Sequence, residues 1–296
     1  MESSIAFIGF GEAGMAFAGA NAGHAARGYD RKLDDPTTRT AKLADFATCG
    51  VGACDSAEEA LAGTDIVLSL VTADQALVAA SADAAFLAPG ALWLDMNSVA
   101  PDTKRAAAEI ISLRARYVDV AVMAPVHPAR RGVPLLVCGP HAGAGAAALV
   151  ALGFDNVTIV SGDIGAASSI KMIRSVMVKG IEALSAECVL AAEAAGVREA
   201  VIASLDASWP GADWARRFDY NLDRMMVHGL RRAAEMEEVV KTLDALGTGA
   251  AMTRGTVARQ REIGARHLTP AKGLDGKLAV LAASAHETAA AGEHAA

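Results

Sequence analysis

The chain has 296 residues, of which 53% are hydrophobic and 21% charged, and its formal net charge is −7 at pH 7. This composition excludes an intrinsically disordered chain, and the length suffices for two domains. The negative charge, without a long basic run, argues against nonspecific binding of nucleic acid. Small molecules are therefore the expected partners.

Cysteine usage and the N-terminus predict a cytoplasmic protein. The four cysteines show no C-x-x-C spacing and no adjacent histidine cluster, so neither a disulfide framework nor a metal site is predicted. Residues 1–4 lack the features of a signal peptide. The uncharged stretch 133–154 resembles a membrane span in length, but its glycines and prolines predict a strand, a turn and a short helix. We therefore expect no membrane association.

The first half of the chain alternates short apolar runs with helical segments. Strands are predicted at residues 4–9, 25–30, 50–54, 65–71, 91–95, 117–122, 135–138 and 157–160. Helices are predicted at 12–22 and 37–48, from a capping box at 56–59, and from Pro101 to about residue 115. Such alternation predicts an α/β fold with a doubly wound parallel sheet.

The second half is predicted to be all-helical. Residues 166–195 predict one long helix, followed by helices at 197–208, 214–247 with one break, 250–266 and 277–285. We expect a sheet domain at 1–162 and a helical domain at 163–296, joined by the long interdomain helix. A helix of about 45 Å with apolar residues around much of its circumference needs further cover. We therefore expect a homodimer formed through the second domain.

A glycine-rich turn follows the first strand. Gly9-Phe10-Gly11-Glu12-Ala13-Gly14 reads G-x-G-x-x-G. The three glycines would serve the tight turn, the approach of the backbone to a pyrophosphate, and the packing of helix on strand. Asp30 lies about 20 residues further on, where a carboxylate accepts the ribose 2′-hydroxyl of NAD. This combination predicts a Rossmann domain and a dinucleotide cofactor.

The choice between NAD and NADP depends on the residues at the end of the second strand. The Asp30 carboxylate repels a 2′-phosphate, whereas Arg31 and Lys32 could stack on adenine or neutralise that phosphate. The sequence therefore predicts NAD or NADP, with NAD favoured. Val71 and Thr72, at the end of the 65–71 strand, are also predicted to contact the cofactor.

Two further segments carry a family resemblance. Residues 95–101 read D-M-N-S-V-A-P, and residues 162–171 read G-D-I-G-A-A-S-S-I-K. Together with the glycine turn, they resemble the β-hydroxyacid dehydrogenase superfamily over about residues 4 to 265. This superfamily includes 3-hydroxyisobutyrate dehydrogenases, 6-phosphogluconate dehydrogenases and imine reductases. Within it, the chain looks like a poorly characterised subgroup that is phosphogluconate-dehydrogenase-like.

The resemblance implies roles for residues in the last two segments. Asn97 stands in the family's D-x-S-T-x-x-P segment beside the nicotinamide ribose, although Asn97 and Ser98 also fit a helix N-cap. Lys171 matches the family's general acid/base, and its apolar neighbours would lower its pKa towards neutrality. A surface lysine on an amphipathic helix is the alternative. Ser175 stands at the family's asparagine and is a predicted substrate contact.

Two segments depart from the family pattern. Residues 119–125 read D-V-A-V-M-A-P where the family has D-A-P-V-S-G-G, which holds the substrate carboxylate. Met123, Ala124 and Pro125 are predicted substrate contacts that lack the serine hydroxyl and, at the proline, a backbone donor. Residues 130 and 131, both arginine, could replace these donors or belong to a solvated loop. His228 stands at a family lysine and is either a substrate contact or an ordinary core or surface histidine.

These features predict an NAD(P)-dependent oxidoreductase. It would transfer hydride between nicotinamide and a small polar hydroxy acid or sugar-acid-like substrate, with Lys171 as general acid/base. Two alternatives remain open: an imine reductase, and a dinucleotide-binding protein without turnover.

Overall fold

The structure, a computed structural model, describes residues 4–19 and 26–293. The end of the first predicted helix, at residues 20–22, and the start of the second predicted strand, at Ala25, lie outside this part. The chain divides into two units, Met1–Met172 and Ile173–Ala296. The division falls inside the long helix, beyond the predicted boundary at residue 162.

The first unit is built on one eight-stranded sheet with the order β3-β2-β1-β4-β5-β6-β7-β8. All neighbouring strands are parallel except β6 and β7. Residues 123–134, which connect these two strands, contain no α-helix that crosses a face of the sheet, so β7 runs antiparallel to β6. The predicted doubly wound α/β fold is confirmed, with this one antiparallel pair. The strands are β1 Ile5–Ile8, β2 Ala26–Tyr29, β3 Gly52–Ala53, β4 Ile66–Ser69, β5 Leu92–Asp95, β6 Arg116–Val122, β7 Leu135–Cys138 and β8 Val157–Ile159.

Helices cover both faces of this sheet. They are α1 Glu12–Ala18, α2 Pro36–Thr48, α3 Ala57–Leu61, α4 Ala76–Asp83, α5 Pro101–Ile111 and α6 Ala142–Ala151. Alternate residues of β1 pack into two hydrophobic cores, one on each face of the sheet. Phe7 belongs to the core that contains Phe17 and Phe46, and Ile8 belongs to the core that contains Trp93. Helix α4 was not predicted, because its alanine-rich sequence has neither helical periodicity nor a capping residue.

The uncharged stretch 133–154 forms β7 and α6, as predicted. Within the described ranges, no helix is long and apolar enough to cross a membrane.

The second unit is helical throughout its described part. After α7 Ala166–Ala194, which begins in the first unit, come α8 Arg198–Ser208, α9 Trp214–Ala245, α10 Ala251–Gly264 and α11 Gly273–Glu293. The predicted break in α9 is wrong, because this helix runs unbroken for 32 residues. Gly229 does not interrupt it but allows α10 to approach: a Cβ added there would lie 2.7 Å from the Cα of Gly264.

Asp83 makes the stability of the first unit dependent on pH. This residue ends α4 and is 5% exposed, and burial raises the pKa of its carboxyl from 3.8 to about 7. The folded state therefore binds more protons than the unfolded state, and the free energy of unfolding falls as the pH rises from about 4 to 7. We expect Asp83→Asn to raise the melting temperature by several degrees at pH 8 and by little near pH 4. Thermal unfolding monitored by circular dichroism tests this, and an equal shift at both pH values would contradict it.

Candidate active site

The turn between β1 and α1 has the backbone that a bound pyrophosphate requires. Gly9 has a φ of +84°, and a Cβ added there would lie 2.8 Å from the carbonyl carbon of Leu70. A Cβ on Gly14 would lie 3.1 Å from the Gly9 oxygen. Gly11 differs, because an added Cβ would meet nothing within 4 Å, and no side chain caps the start of α1. Its open backbone and uncapped N–H groups therefore fit a phosphate.

Asp30 holds this turn in place. Its carboxylate accepts hydrogen bonds from the backbone N–H of Phe10 at 2.7 Å and of Lys32 at 2.9 Å. The Phe10 ring is buried and stacks on Phe46, so only its backbone faces the turn. Each carboxylate oxygen keeps a second lone pair, which leaves Asp30 able to accept a ribose hydroxyl. This structural role of Asp30 was not predicted.

The other predicted cofactor residues lie in the glycine turn or in the segments around it. The Val71 side chain borders Gly9, while Glu12 is exposed and Ala13 is half-buried. Arg31 is exposed. Hydrogen bonds, chiefly from the Thr72 side chain, lower the pKa of the Asp74 carboxyl, and the positive charge of Arg31 adds to this effect.

Asn97 sits just beyond the end of β5 and is 4% exposed. Its Nδ2 donates to the Ser69 hydroxyl at 2.9 Å, and its backbone N–H donates to Asp95 at 3.0 Å. The Asn97 side-chain oxygen is buried and has no hydrogen-bond partner in the described part of the chain. Such an orphan acceptor fits a hydroxyl donor of a bound cofactor. Ala100 is the residue that directly precedes α5, so neither Asn97 nor Ser98 occupies the N-cap position of this helix.

Beneath this segment lies a fully buried charge cluster. The Lys104 amine lies 2.9 Å from Oδ1 of Asp95 and 3.4 Å from Oδ1 of Asp119, and all three side chains are at most 1% exposed. Tyr117 donates its hydroxyl to Asp95 at 2.7 Å, and burial, with Asp95 beside it, raises the pKa of this tyrosine. Lys104 was not predicted, although it falls on the buried stripe of α5 with Ala107, Ala108 and Ile111.

Lys171 reaches this segment from the first turns of α7. Gly162 and Gly165 precede the helix with φ angles of +121° and +102°. A Cβ on Gly165 would lie 3.2 Å from the Cβ of Pro101, so the glycine lets α7 begin against the start of α5. The half-buried Lys171 donates a hydrogen bond from Nζ to the Ser98 hydroxyl. The structure thus joins the segment around Asn97 to the predicted general acid/base.

The segment after β6 offers few donors. The backbone N–H of Met123 donates to the Pro134 oxygen at 2.9 Å, and Ala124 and Pro125 are exposed. Arg131 donates to the Phe17 oxygen at 2.7 Å, at the end of α1 remote from the glycine turn, and burial lowers its pKa. The solvated-loop interpretation is therefore wrong for residue 131.

Ser175 and His228 lie on two helices of the second unit. Helix α9 runs antiparallel to α7, and three side-chain pairs join the two helices: Lys179 with Glu235, Glu182 with Arg232, and Ser185 with Asn221. Ser175 is buried on α7, and His228 is half-buried on α9.

Comparison with known families accords with this geometry. Residues 4–153 match the family described as the NAD binding domain of 6-phosphogluconate dehydrogenase. The chain belongs to the β-hydroxyacid dehydrogenase superfamily. Residues 192–263 match a domain of unknown function, DUF1932. No match was found among functionally curated proteins.

Solved structures of similar chains include three that span nearly their whole length. A conserved hypothetical protein from Sinorhizobium meliloti 1021 is 40% identical, over 96% of this chain and 97% of that one, with a TM-score of 0.73. The conserved protein MTH1747, of unknown function and structurally similar to 3-hydroxyacid dehydrogenases, is 26% identical over 90% and 100%, with a TM-score of 0.66. A 3-hydroxyisobutyrate dehydrogenase from Mycobacterium tuberculosis, solved with L-serine, shares the fold at 21% identity over 90% and 95%, with a TM-score of 0.72.

Gly11→Ala tests the glycine turn as a phosphate site. The added methyl group meets nothing in the chain itself, so we expect the melting temperature of the free protein to stay the same. The same methyl group would occupy the space of a phosphate, and we expect the Kd for dinucleotide to rise about tenfold or more. Fluorescence titration with NADH measures this. Gly143→Ala, equally open but on α6, is the control that should leave the Kd unchanged, and an unchanged Kd in Gly11→Ala would contradict the assignment.

Proposed function

We propose that the chain is an NAD(P)-dependent oxidoreductase in which Lys171 is the general acid/base, acting on a small polar hydroxy acid or a sugar-acid-like substrate. The observation that carries the proposal is the hydrogen bond from Lys171 to Ser98. Ser98 directly follows Asn97, whose buried side-chain oxygen is free to accept a cofactor hydroxyl. The amine of Lys171 on α7 thus meets the segment that would hold the nicotinamide end of the cofactor.

The residues of the chain would divide the work as follows. The bound dinucleotide supplies hydride transfer, which no amino-acid side chain performs. The open backbone at Gly11 would receive the pyrophosphate, and Asn97 would orient the ribose next to the nicotinamide. In oxidation the neutral amine of Lys171 would take the proton of the substrate hydroxyl, and in reduction the ammonium form would return it. The Ser98 hydroxyl holds that amine in place.

Charges near the adenosine end support NAD as the cofactor. Asp30 offers a carboxylate where a 2′-phosphate would lie. The positive charge of Arg31 already interacts with the Asp74 carboxylate, and this reduces its ability to neutralise a phosphate. Both observations favour the unphosphorylated ribose of NAD.

An imine reductase is the second candidate. The family's carboxylate-binding segment is replaced here by Met123 to Pro125, and the N–H of Met123 is bonded to Pro134. Because Pro125 has no N–H, this segment offers little to a substrate carboxylate. An imine carries no carboxylate to be held in this way. The position of Lys171, hydrogen-bonded to Ser98 beside Asn97, disfavours a dinucleotide-binding protein without turnover.

A substrate panel followed at 340 nm tests these functions. We expect turnover of a hydroxy acid or sugar acid in the panel, faster with NAD than with NADP at equal concentration. Lys171→Ala should lower kcat about 100- to 10,000-fold while the Kd for NADH changes little, because the amine acts on the proton and not on the cofactor. Lys272→Ala, at an exposed lysine of the second unit, is the matched control that should leave turnover unchanged.

Full turnover by Lys171→Ala would refute the role of this lysine. Reduction of imines without any activity on hydroxy acids would replace the first candidate by the second. Cofactor binding without turnover of any compound in the panel would favour the non-catalytic alternative.

We also propose that two copies of the chain pair through the outer face of α7. Ile173, Met177 and Leu184 lie on one helical face and are 49%, 65% and 56% exposed. Gly180 lies between them on the same face, and a Cβ added there would meet only Thr256, at 3.9 Å. The fold itself therefore does not require a glycine, which costs about 1 kcal/mol inside a helix. If α7 of a second copy crossed this helix at Gly180 about a two-fold axis, the apolar face would be buried. The close approach of the two helices would account for the glycine.

Light scattering at micromolar concentration tests this pairing. We expect twice the chain mass for the native protein and the single chain mass for Met177→Lys, which places a charge in the apolar face. Val150→Lys, at a site on α6 that is 60% exposed, is the control and should leave the mass doubled. A native protein of single chain mass would refute the proposal.

Cytoplasmic location is likewise a proposal. The four cysteines are free thiols, which supports a reducing compartment.

A further inference from the structure

Asp119 caps a helix that starts far away in the sequence. It lies on β6 and is 0% exposed. Its Oδ2 accepts a hydrogen bond from the backbone N–H of Gly165 at 3.0 Å, and two more from the N–H and the hydroxyl of Ser168, both at 3.3 Å. Gly165 directly precedes α7 and Ser168 lies in its first turn, 46 and 49 residues further along the chain.

This cap does more than satisfy free N–H groups. Helix caps usually come from the residue directly before the helix, and such a local cap would serve the same N–H groups. A carboxylate on a central strand also ties the helix to the sheet, with charge-assisted hydrogen bonds that the helix dipole strengthens. The start of α7 is therefore fixed relative to β6.

The second oxygen of Asp119 extends this link to the segment that carries Ser98. Lys104 lies 3.4 Å from that oxygen and 2.9 Å from Asp95. Asp95 in turn accepts the backbone N–H of Asn97. The buried amine of Lys104 thus connects Asp119, which holds the start of α7, to Asp95, which holds the segment after β5. These two segments supply the two partners of the hydrogen bond between Lys171 and Ser98.

We propose that Asp119 is a positioning residue for Lys171: it fixes the first turn of α7 to the sheet, so that the amine of Lys171 meets the hydroxyl of Ser98. Its effect on turnover rests on the proposed catalytic role of Lys171. Its effect on the start of α7 is independent of that role.

Asparagine is the informative replacement at this position. It has the size of aspartate but only one acceptor oxygen, and its amide nitrogen can only donate. If the oxygen of the amide faces the N–H groups of α7, its nitrogen faces the Lys104 ammonium. If the amide is turned, its nitrogen faces the N–H groups. Neither orientation satisfies both sides, so the anchor weakens while the side chain still fills its space.

Hydrogen exchange read by mass spectrometry tests the anchor without any substrate. In Asp119→Asn we expect the amides of Gly165 and Ser168 to exchange about tenfold faster or more, because their acceptor, the carboxylate of Asp119, is weakened. Ser168→Ala, which removes one donor, should change them in the same direction by less. Asp83→Asn, the same substitution at another buried aspartate, should leave them unchanged. Native exchange of these two amides in Asp119→Asn would overturn the proposal.

Kinetics separate positioning from general destabilisation. With a substrate found in the panel, we expect Asp119→Asn to lower kcat roughly 10- to 100-fold, as a small misplacement of a catalytic group does, with little change in the Kd for NADH. In a Lys171→Ala background the same substitution should lower kcat no further. An equal loss in both backgrounds would overturn the positioning role. Full turnover of Lys171→Ala alone would refute the proposed function, and the exchange result would still decide whether Asp119 anchors α7.

Discussion

The contact of Lys104 with Asp95 and Asp119 is the constraint on which the rest of the first unit's site depends. The three side chains are fully buried, and the desolvation of such a cluster is costly unless further hydrogen bonds compensate for it. The hydrogen bonds come from the ends of several elements: Tyr117 on β6, the segment after β5, and the first turn of α7. Removing one member would leave an unpaired buried charge, so these elements are held together as a set.

The two ends of the candidate cofactor site depend on different structural properties. At the glycine turn, the essential property is the absence of side chains, because a Cβ at Gly9 or Gly14 would crowd its neighbours and Gly11 leaves space for a ligand. At the end of β5, the essential property is a dense set of polar contacts around Asn97 and Ser98. A carboxylate supports each end, Asp30 at the turn and Asp95 at the strand. The backbone is thereby rigid where a ligand would have to meet it.

The sequence predicts well what depends on neighbours along the chain. The strands, the glycine turn and the long helix each follow from local periodicity or spacing, and the sheet domain was predicted from them. Contacts between distant residues were not predictable in this way: Asp30 with Phe10, Asp119 with Ser168, and Glu182 with Arg232. The predicted break in α9 fails for the same reason, because Gly229 is explained by Gly264 on another helix.

The second unit shows why the polar contacts matter in a chain so poor in large side chains. Aromatic residues make up only 4% of the chain, and small side chains such as alanine let helices slide past one another with little change in packing. Glu182, 3% exposed, accepts hydrogen bonds from both Arg232 on α9 and Gln260 on α10. A helix shifted by one turn would bury that carboxylate without a partner, at a cost of several kcal/mol. We infer that buried polar pairs select the register of these helices, whereas apolar packing stabilises it once selected.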